Sequence, residues 1–478
     1  MKTSKLTPST VLILLLLVSF LGCQSAPFSP GQGPGESIDL LIEGGTVLVM
    51  DEPLTVHSPG FVAIQDDRIV AVGAGDSGQR FRPQRRIDAA GDIVMPGIVN
   101  GHQHAPMVLF RGMGNDRNLM DWLNDTIFPA EAQNVNRDFV YWGTRLAVLE
   151  MLRSGTTTYA DMYYYEDEVA RASADAGIRV VAGQTVIGFP APDHPKPEET
   201  LAWLETFIDE WKDHPLVIPA VAPHAPFTLS RQILEASKEL ADRKDVPLII
   251  HVAETAAEVE QVKQEQDGSR PVEYLDRIGF LADRVIANHV VWAEPHEIEM
   301  LKRAGVGVIH NPESNMKLAS GVAPVPAMLR SGIDLGLGTD GAASNNNLDM
   351  LQEMDSMAKL HKLASNDPTV VTARETLFAA TLGGARALNL QDRIGSLEEG
   401  KLADVIILSL ASPQGIPAAD PYTTVVYSLL GDSVETVIIN GKILLDQHRF
   451  VATDEDQVYA ESRRLIEKVS DSLREDNR

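Results

Sequence analysis

Two histidines separated by one residue carry the clearest chemical meaning in this chain. His102 and His104 follow the apolar run 93–99, which has the composition of a buried β-strand. Side chains two positions apart on a strand point to the same side, so one metal ion could take both imidazoles without bending the backbone. A His-x-His pair alone is weak evidence, because histidines also occur in protein cores. The remaining ligands would have to come from other strand ends.

Alternating strands and helices must position such ligands. Eight apolar segments of strand length are each followed by a helical segment, which predicts an α/β fold, a (β/α)8 TIM-like barrel. A doubly wound open sheet is the alternative, but no glycine-rich dinucleotide fingerprint follows the first strand. The eight predicted strands are residues 94–99, 156–162, 179–186, 217–222, 247–252, 285–289, 307–310 and 334–337.

Short strands flank this repeat on both sides. Strand-like runs separated by glycine, proline and Asp-Asp turns fill residues 38–95, and the same pattern returns at 403–408 and 434–442. We expect the two flanks to pair into one small β-sandwich. The predicted units are a β-sandwich part at 37–95, the barrel at 96–396, the second β-sandwich part at 397–452 and an acidic C-terminal helix at 453–478.

The first residues have the pattern of an export signal. Lys2 and Lys5 precede an apolar stretch at 11–18 that is too short for a mature transmembrane helix. The stretch leads to Gly22-Cys23 and resembles a bacterial lipoprotein signal, in which the cysteine takes a diacylglycerol. We predict a signal peptide at 1–22, lipidation of Cys23 and a Pro/Gly-rich tether at 23–36. Conventional cleavage of the signal is the alternative.

Cysteine count and charge limit the environment and the partners. Cys23 is the only cysteine, so the folded chain has no internal disulfide. The net charge of −26 argues against nucleic acid and anionic lipid as partners, because both would repel such a surface. The predicted location is the periplasmic or extracytoplasmic face of a bacterial membrane, with contact to the membrane only through the lipid. Whether the chain forms a homo-oligomer stays open.

Polar residues collect at the ends of the predicted strands. In (β/α)8 barrels the reactive groups lie at the carboxyl ends of the strands. Six of the chain's 12 histidines occupy this position of the repeat, together with an aspartate. A coincidence of this size predicts a metal centre at one end of the barrel. The residues are His102, His104, His224, His251, His289, His310 and Asp340.

Longer motifs at these positions resemble the amidohydrolase superfamily, whose members are metal-dependent hydrolases on a (β/α)8 barrel with a flanking β-sandwich. The resemblance runs from about residue 40 to residue 445. Within the superfamily the chain looks like the 5-methylthioadenosine/S-adenosylhomocysteine deaminases, with the triazine and guanine aminohydrolases as neighbouring groups. The motifs are residues 96–104 (PGIVNGHQH), 120–123 (MDWL), 128–131 (FPAE), 154–158 (SGTTT), 251–255 (HVAET), 310–321 (HNPESNMKLASG) and 338–340 (GTD).

The resemblance implies a set of metal ligands. His102, His104 and His251 would bind through neutral imidazole, and Asp340 through its carboxylate. Three nitrogen ligands and one oxygen ligand suit Zn²⁺ with an open position for water, although Fe²⁺, Mn²⁺ and Ni²⁺ also accept them. Strand four carries no lysine, the residue that bridges two metals in binuclear superfamily members. A single ion is therefore expected.

The resemblance also implies a reaction, the hydrolysis of a carbon–nitrogen bond in a cyclic amidine. Hydroxide formed from water on the metal would displace the exocyclic amine of an adenine-type nucleoside, giving a hypoxanthine product and ammonia. Asp340 would accept the proton of the water, and His289 would orient the hydroxide. Glu254 would protonate the ring nitrogen. The implied substrate contacts are Trp122, Glu131, His224 and Glu254.

Two positions depart from the family pattern. Gln103 stands where threonine is usual, and its side chain is expected to face away from the metal. No arginine occurs between residues 180 and 229, where the nucleoside deaminases hold the carboxylate of a homocysteine moiety. Lys196 is a poor substitute for a bidentate guanidinium fork. This puts S-adenosylhomocysteine in doubt and leaves adenosine, 5-methylthioadenosine or another aminated heterocycle open.

Two other functions stay open at this level. One is a triazine, guanine or other heterocycle aminohydrolase or chlorohydrolase on the same fold. The other is a non-catalytic, exported lipoprotein that only binds a ligand. The presence of Glu254 and Asp340 beside three histidines argues against the second, because binding alone needs no proton transfer.

Overall fold

The computed structural model describes residues 35–78 and 80–476, with side chains up to residue 471. The strands are β1 (Glu36–Glu43), β2 (Thr46–Leu48), β3 (Val56–His57), β4 (Gly60–Gln65), β5 (Arg68–Ala74), β6 (Phe81–Asp88), β7 (Ile93–Pro96), β8 (Ile98–Gln103), β9 (Thr156–Tyr163), β10 (Arg179–Val186), β11 (Val217–Pro223), β12 (Leu248–Val252), β13 (Val285–His289), β14 (Gly307–His310), β15 (Leu335–Leu337), β16 (Val405–Leu408), β17 (Val434–Ile439), β18 (Lys442–Asp446) and β19 (Arg449–Phe450).

Helices follow most of the central strands. They are α1 (Leu119–Trp122), α2 (Phe128–Asn134), α3 (Arg137–Arg153), α4 (Glu166–Ala176), α5 (Pro197–Trp211), α6 (Arg231–Lys244), α7 (Ala256–Glu265), α8 (Pro271–Arg277), α9 (Pro295–Ala304), α10 (Pro312–Lys317), α11 (Val325–Ser331), α12 (Met350–Ser365), α13 (Ala373–Phe378), α14 (Gly384–Ala387), α15 (Pro421–Tyr427) and α16 (Glu455–Asp476). Shorter 3-10 and π-helical turns lie at Ala105–Phe110, Leu123–Ile127, Ala379–Gly383, Pro413–Gly415 and Gly431–Ser433.

Eight parallel strands, β8 to β15, form the central sheet in chain order. The sheet returns on itself, because the Asp340 amide beyond β15 donates to the His102 carbonyl of β8 at 3.0 Å. The Asn100 side chain adds a second link at the same seam: its Oδ1 accepts from the Thr339 amide at 3.0 Å. The predicted (β/α)8 barrel is confirmed.

Burial explains why the barrel strands could be read from sequence. Every residue of β9, β10 and β13 is buried, because helices cover the outer face and side chains fill the inside. Parallel strands covered on both faces appear as continuous apolar runs. The helices between them begin at polar caps, such as Asn136, whose Oδ1 accepts from the amides of Asp138 and Phe139 before α3.

Two further sheets form the β-sandwich. One has the order β5-β4-β1-β6, and the other has the order β19-β18-β17-β16-β7-β2-β3. The second sheet joins the two ends of the chain, because β7 pairs antiparallel with β16, with Met95 opposite Ile406. The apolar core between the sheets includes Ile42, Val62 and Val405. The predicted β-sandwich from both flanks is confirmed.

The apolar run 94–99 does not form one strand. It divides at Gly97: β7 ends at Pro96 in the sandwich, and β8 begins at Ile98 in the barrel. The Gly97 amide donates to the Asp404 carbonyl at 3.0 Å and the Ile98 amide to the Gly155 carbonyl at 3.0 Å, so the chain changes sheets there. Hydrophobicity could not reveal this division, since both halves are buried.

A buried ion pair links the barrel to the sandwich. The Arg179 guanidinium at the start of β10 contacts the Asp404 carboxylate and the Asn440 side chain. Asp404 Oδ1 also accepts from the Asn440 amide at 2.9 Å. The Arg179 and Asp404 side chains are only 1% and 3% exposed. This cluster fixes the two parts of the molecule against each other.

The predicted signal peptide, Cys23 and the predicted tether up to residue 34 lie outside the described residues. Their export and lipidation stay predictions. Within the described part of the chain, no helix is both long and apolar enough to cross a membrane.

Candidate metal centre and active-site cavity

Imidazole nitrogens converge at the carboxyl ends of the barrel strands. His102 lies on β8, His104 directly follows it, and His251 lies on β12. Their ligand atoms all lie within 4.8 Å of one another, and the same holds for His102, His289 and Asp340. His251 Nε2 is 3.2 Å from His102 Nε2, and Asp340 Oδ1 is 3.2 Å from His104 Nε2. The geometry therefore brings the four predicted ligands together.

Hydrogen bonds on the far side of two rings test whether a metal fits. His104 Nδ1 donates to the Met162 carbonyl at 2.5 Å, and His251 Nδ1 donates to the His224 carbonyl at 2.8 Å. A carbonyl oxygen only accepts, so each Nδ1 carries the proton when the ring is neutral. The Nε2 lone pairs then point at the centre of the cluster, which is the arrangement a divalent cation requires. The residues fit a metal ion.

Electrostatics at the cluster favour a cation. Burial lowers the pKa of His102 and of His251 well below the usual value, so both rings are neutral and can coordinate. Burial also lowers the pKa of His104, but the hydrogen bond and charge of Asp340 outweigh it and raise that pKa to about 9. A proton and a divalent cation therefore compete for this imidazole.

Asp340 is held as a carboxylate by its neighbours. Burial alone would raise its pKa, but the hydrogen bond from His104 and the charge of the surrounding histidines hold that pKa well below its usual range. Ser314 Oγ and Ser344 Oγ donate to Asp340 Oδ2 at 2.6 and 2.8 Å. The Gly341 amide donates to Oδ1 at 2.7 Å. These contacts leave Oδ1 facing His104 and His102.

Glu254 and His289 lie beside the cluster. Glu254 Oε2 is 3.8 Å from His289 Nε2, and both residues are buried. Burial raises the pKa of Glu254. His289 Nδ1 lies 3.0 Å from the carbonyl oxygen of the Asn315 side chain, which orients the ring. Glu254 and His289 are therefore placed to transfer protons beside the histidine cluster.

A cavity opens onto this cluster and encloses an empty volume of about 680 Å³, counted out to its mouth. Trp122, Glu131 and His224, the predicted substrate contacts, all line it together with Glu254. Burial raises the pKa of Glu131 to about 7, although the nearby Tyr163 hydroxyl acts against that shift. The cavity lining contains no lysine or arginine among the described residues. Its apolar part includes Leu119, Leu123, Ile127, Phe128, Phe227 and Leu318.

His310 and Gln103 lie near the histidine cluster, but their side chains do not point towards it. His310 ends β14, but its Nε2 lies 3.0 Å from Nε2 of His361 on α12, so it points to the helix layer. Gln103 is buried, does not line the cavity, and accepts a hydrogen bond from the His104 amide through Oε1 at 3.0 Å. Position at a strand end therefore did not suffice to place His310 in the cluster.

Several supporting residues were not singled out from the sequence. Ser314 and Asn315 stand inside the motif at 310–321, yet only their contacts with Asp340 and His289 reveal their roles. Ser344 lies in the loop after β15, four residues beyond the last residue of the GTD motif. Glu258 accepts the amides of Ala253 and Glu254, but in sequence it is one glutamate of an ordinary helix.

Comparisons with known proteins agree with this architecture. The model of the Amidohydrolase family matches residues 93–444. A 5-methylthioadenosine/S-adenosylhomocysteine deaminase from Syntrophobacter fumaroxidans is 45% identical over 432 residues, 90% of this chain and 98% of that protein. The crystal structure of a zinc-bound adenosine deaminase from Xanthomonas campestris aligns with a TM-score of 0.89 at 40% identity, covering 91% of this chain and 100% of that one.

A second solved structure is more distant. The zinc complex of atrazine chlorohydrolase from Arthrobacter aurescens TC1 aligns with a TM-score of 0.84 at 28% identity, covering 89% of this chain and 100% of that one. The family model thus matches most of the length of the chain that holds this barrel, sandwich and candidate ligand cluster. The chain belongs to the amidohydrolase family, whose members are metal-dependent.

Proposed function

We propose that this chain is a metal-dependent deaminase of adenine-type nucleosides, a hydrolase of carbon–nitrogen bonds in cyclic amidines. The observation that carries the proposal is the convergence of three imidazoles and one carboxylate beside a buried glutamate, Glu254, in a single cavity. The names of two relatives support it: one is a 5-methylthioadenosine/S-adenosylhomocysteine deaminase, and the other an adenosine deaminase with bound zinc.

The metal would be held by His102, His104, His251 and Asp340. One Zn²⁺ suits this set, and a single ion is supported because β11 carries no lysine that could bridge two. A bound ion of this kind supplies a water molecule whose pKa is lowered towards neutrality. Ser314 and Ser344 keep the Asp340 carboxylate in place for this role.

Two carboxyl groups with opposite pKa shifts would move the protons. Asp340 is a carboxylate and accepts the proton of the attacking water. Burial raises the pKa of Glu254, and in its protonated form Glu254 gives its proton to the ring nitrogen beside the attacked carbon. His289 lies between them and orients the water. Water adds to the carbon, the proton held by Asp340 passes to the exocyclic amine, and the amine leaves as ammonia. The hydroxyl proton returns to Glu254 as the ring carbonyl forms.

The cavity favours a nucleoside without a charged 5′ substituent. Its lining offers Trp122, Glu131 and His224 to the base and ribose, and several apolar side chains besides them. No lysine or arginine of the described residues lines it, so a carboxylate would lose its hydration without an ammonium or guanidinium partner. Adenosine and 5-methylthioadenosine are therefore favoured over S-adenosylhomocysteine.

A substrate panel with metal analysis tests the proposal. The purified chain is assayed with adenosine, 5-methylthioadenosine, S-adenosylhomocysteine, guanine and a chlorinated triazine, with ammonia and the ultraviolet spectrum as readouts. We expect conversion of the adenine spectrum to that of hypoxanthine, the smallest kcat/KM among the adenine nucleosides for S-adenosylhomocysteine, and close to one metal ion per chain. Turnover of the triazine or guanine alone, or ligand binding without any turnover, would contradict the proposal.

A variant separates catalysis from binding. Glu254→Gln keeps the shape of the side chain but cannot deliver a proton, so kcat should fall by at least about 100-fold. Metal content and nucleoside binding should stay at the level of the unmodified chain. The matched control is Glu260→Gln on the same side of the barrel, where the carboxylate is solvent-exposed. Full activity of Glu254→Gln would exclude the mechanism.

A further inference from the structure

We infer that Glu258 is a positioning residue for the reaction, because its carboxylate holds the turn that aims Glu254 into the cavity. The inference rests on the proposed function, in which Glu254 delivers the proton. Glu258 lies in the first turn of α7 and does not line the cavity. It therefore acts through Glu254 and touches neither substrate nor metal ligand.

The carboxylate of Glu258 binds two successive peptide groups. Oε1 accepts from the Ala253 amide at 2.9 Å, and Oε2 accepts from the Glu254 amide at 2.6 Å. The Glu258 side chain is itself fixed, since it is buried and its own amide donates to Thr255 Oγ1 at 3.1 Å. Burial raises the pKa of Glu258 to about 8, and the backbone amides act against that shift. Both carboxyl oxygens accept from an amide, an arrangement that the ionised form satisfies best and that makes stronger hydrogen bonds than a neutral acceptor would.

The turn that Glu258 holds is unfavourable on its own. Ala253 has a φ of +50°, in the left-handed region that side chains other than glycine avoid. On its other side the Ala253 carbonyl accepts from the Trp292 amide at 3.0 Å. The peptide unit between Ala253 and Glu254 therefore has both its carbonyl and its amide group hydrogen-bonded. The chain turns away from the direction of β12 directly before Glu254. Strained backbone of this kind persists where surrounding contacts hold it in place.

Side-chain contacts hold Glu254 only weakly. Its Oε1 accepts one long hydrogen bond from Ser320 Oγ at 3.3 Å, and Oε2 is 3.8 Å from His289 Nε2. The direction of the carboxyl group therefore depends on the backbone that carries it. Displacement of a reacting group by about 1 Å can cost about 100-fold in rate.

Three variants test this role: Glu258→Gln, Ala253→Gly and the double variant. An amide at position 258 turns an N–H group towards one of the two backbone donors, so the turn loosens. We expect kcat of Glu258→Gln to fall by about 10- to 100-fold, while KM changes by less than about threefold and the metal content is unchanged. Thermal unfolding of each variant shows that the fold is intact.

Rescue distinguishes positioning from general support of the helix. Glycine adopts a left-handed conformation without strain, so Ala253→Gly should restore kcat of Glu258→Gln by at least about threefold. The control Glu260→Gln, on the exposed side of α7, should match the unmodified chain. Undiminished kcat in Glu258→Gln, a loss confined to KM or to metal content, or a failure of the second substitution to restore kcat would overturn the inference.

The same data separate this inference from the proposed function. An unmodified chain that deaminates no nucleoside would overturn the proposed function and this inference with it. An active unmodified chain whose Glu258→Gln variant is equally active would overturn the inference alone.

Discussion

Three buried carboxyl groups around the cavity have pKa values that their surroundings shift in different ways. The hydrogen bond from His104 and the charge of the surrounding histidines hold the pKa of Asp340 well below its usual range, whereas burial raises the pKa of Glu254. Burial raises the pKa of Glu131 to about 7. Neighbours of opposite character separate the pKa values of chemically similar groups, which is how one cavity can hold both an acid and a base.

The pKa of Glu131 predicts a pH dependence. Because the pKa is raised, the carboxylate that would accept hydrogen bonds from ribose hydroxyls predominates only above about pH 7. The ratio of kcat/KM between the unmodified chain and Glu131→Gln should therefore rise about tenfold per pH unit up to about pH 7 and level off above it. The ratio removes the titration of other groups that both proteins share. A ratio independent of pH from about 5.5 to 8 would contradict this role.

Close contact between β14 and α14 makes the barrel sensitive at Gly307. A Cβ atom at this glycine would lie 2.1 Å from the Ala387 carbonyl oxygen and 2.7 Å from its carbon, and neither backbone atom can move aside alone. Gly307→Ala should therefore lower the free energy of unfolding by about 1–3 kcal/mol, as measured by urea unfolding. Activity should fall too, since β14 leads into Asn311, whose Nδ2 is 3.3 Å from His289 Nδ1.

A second strand glycine provides the control for that substitution. A Cβ atom at Gly73 on β5 would lie 2.9 Å from the ring of Phe61. The Phe61 side chain can rotate away from this contact, whereas the backbone atoms beside Gly307 cannot. Gly73→Ala should cost clearly less stability than Gly307→Ala and leave kcat unchanged. Equal losses in the two variants would show that backbone contact is not the cause.

A buried ion pair contributes to the contact between barrel and sandwich. Removing Arg179 leaves the Asp404 carboxylate buried without its charge partner, so Arg179→Met should cost about 3–5 kcal/mol of unfolding free energy. The exposed pair of Arg386 and Glu52 is the control, and Glu52→Gln should cost less than about 1 kcal/mol. Thermal unfolding of the metal-loaded chain measures both. A loss for Arg179→Met no larger than that of the control would exclude this role of the pair.

The barrel was predictable because parallel strands covered by helices are apolar throughout and occur at regular intervals. The predicted strands from 179 to 310 lie within one residue of the observed ones. The division of the run 94–99 at Gly97 was not predictable, because both strands are buried and equally apolar. Hydrogen-bond partners in two different sheets, and not composition, separate them.

Candidate ligands were predictable to the extent that strand ends meet at one end of a barrel. His102, His104, His251 and Asp340 lie together as expected, whereas His310 turns towards α12. The direction of a side chain at a strand end depends on the register of the strand and on the turn that follows. Asp340, His289 and Ala253 all have positive φ values, a conformation that residues other than glycine adopt too seldom for the sequence to predict it at these positions.

The histidine pair at 102 and 104 could be identified from the sequence because residue type and spacing are properties of the chain. The eightfold repeat and the motifs of the amidohydrolase family could be identified for the same reason. The cavity lining, the opposite pKa shifts of Asp340 and Glu254, and the hydrogen bonds of Glu258 to the turn before Glu254 arise from residues far apart in sequence or from backbone angles. Burial and hydrogen-bond partners set these properties, and both exist only after the strands have closed into a barrel.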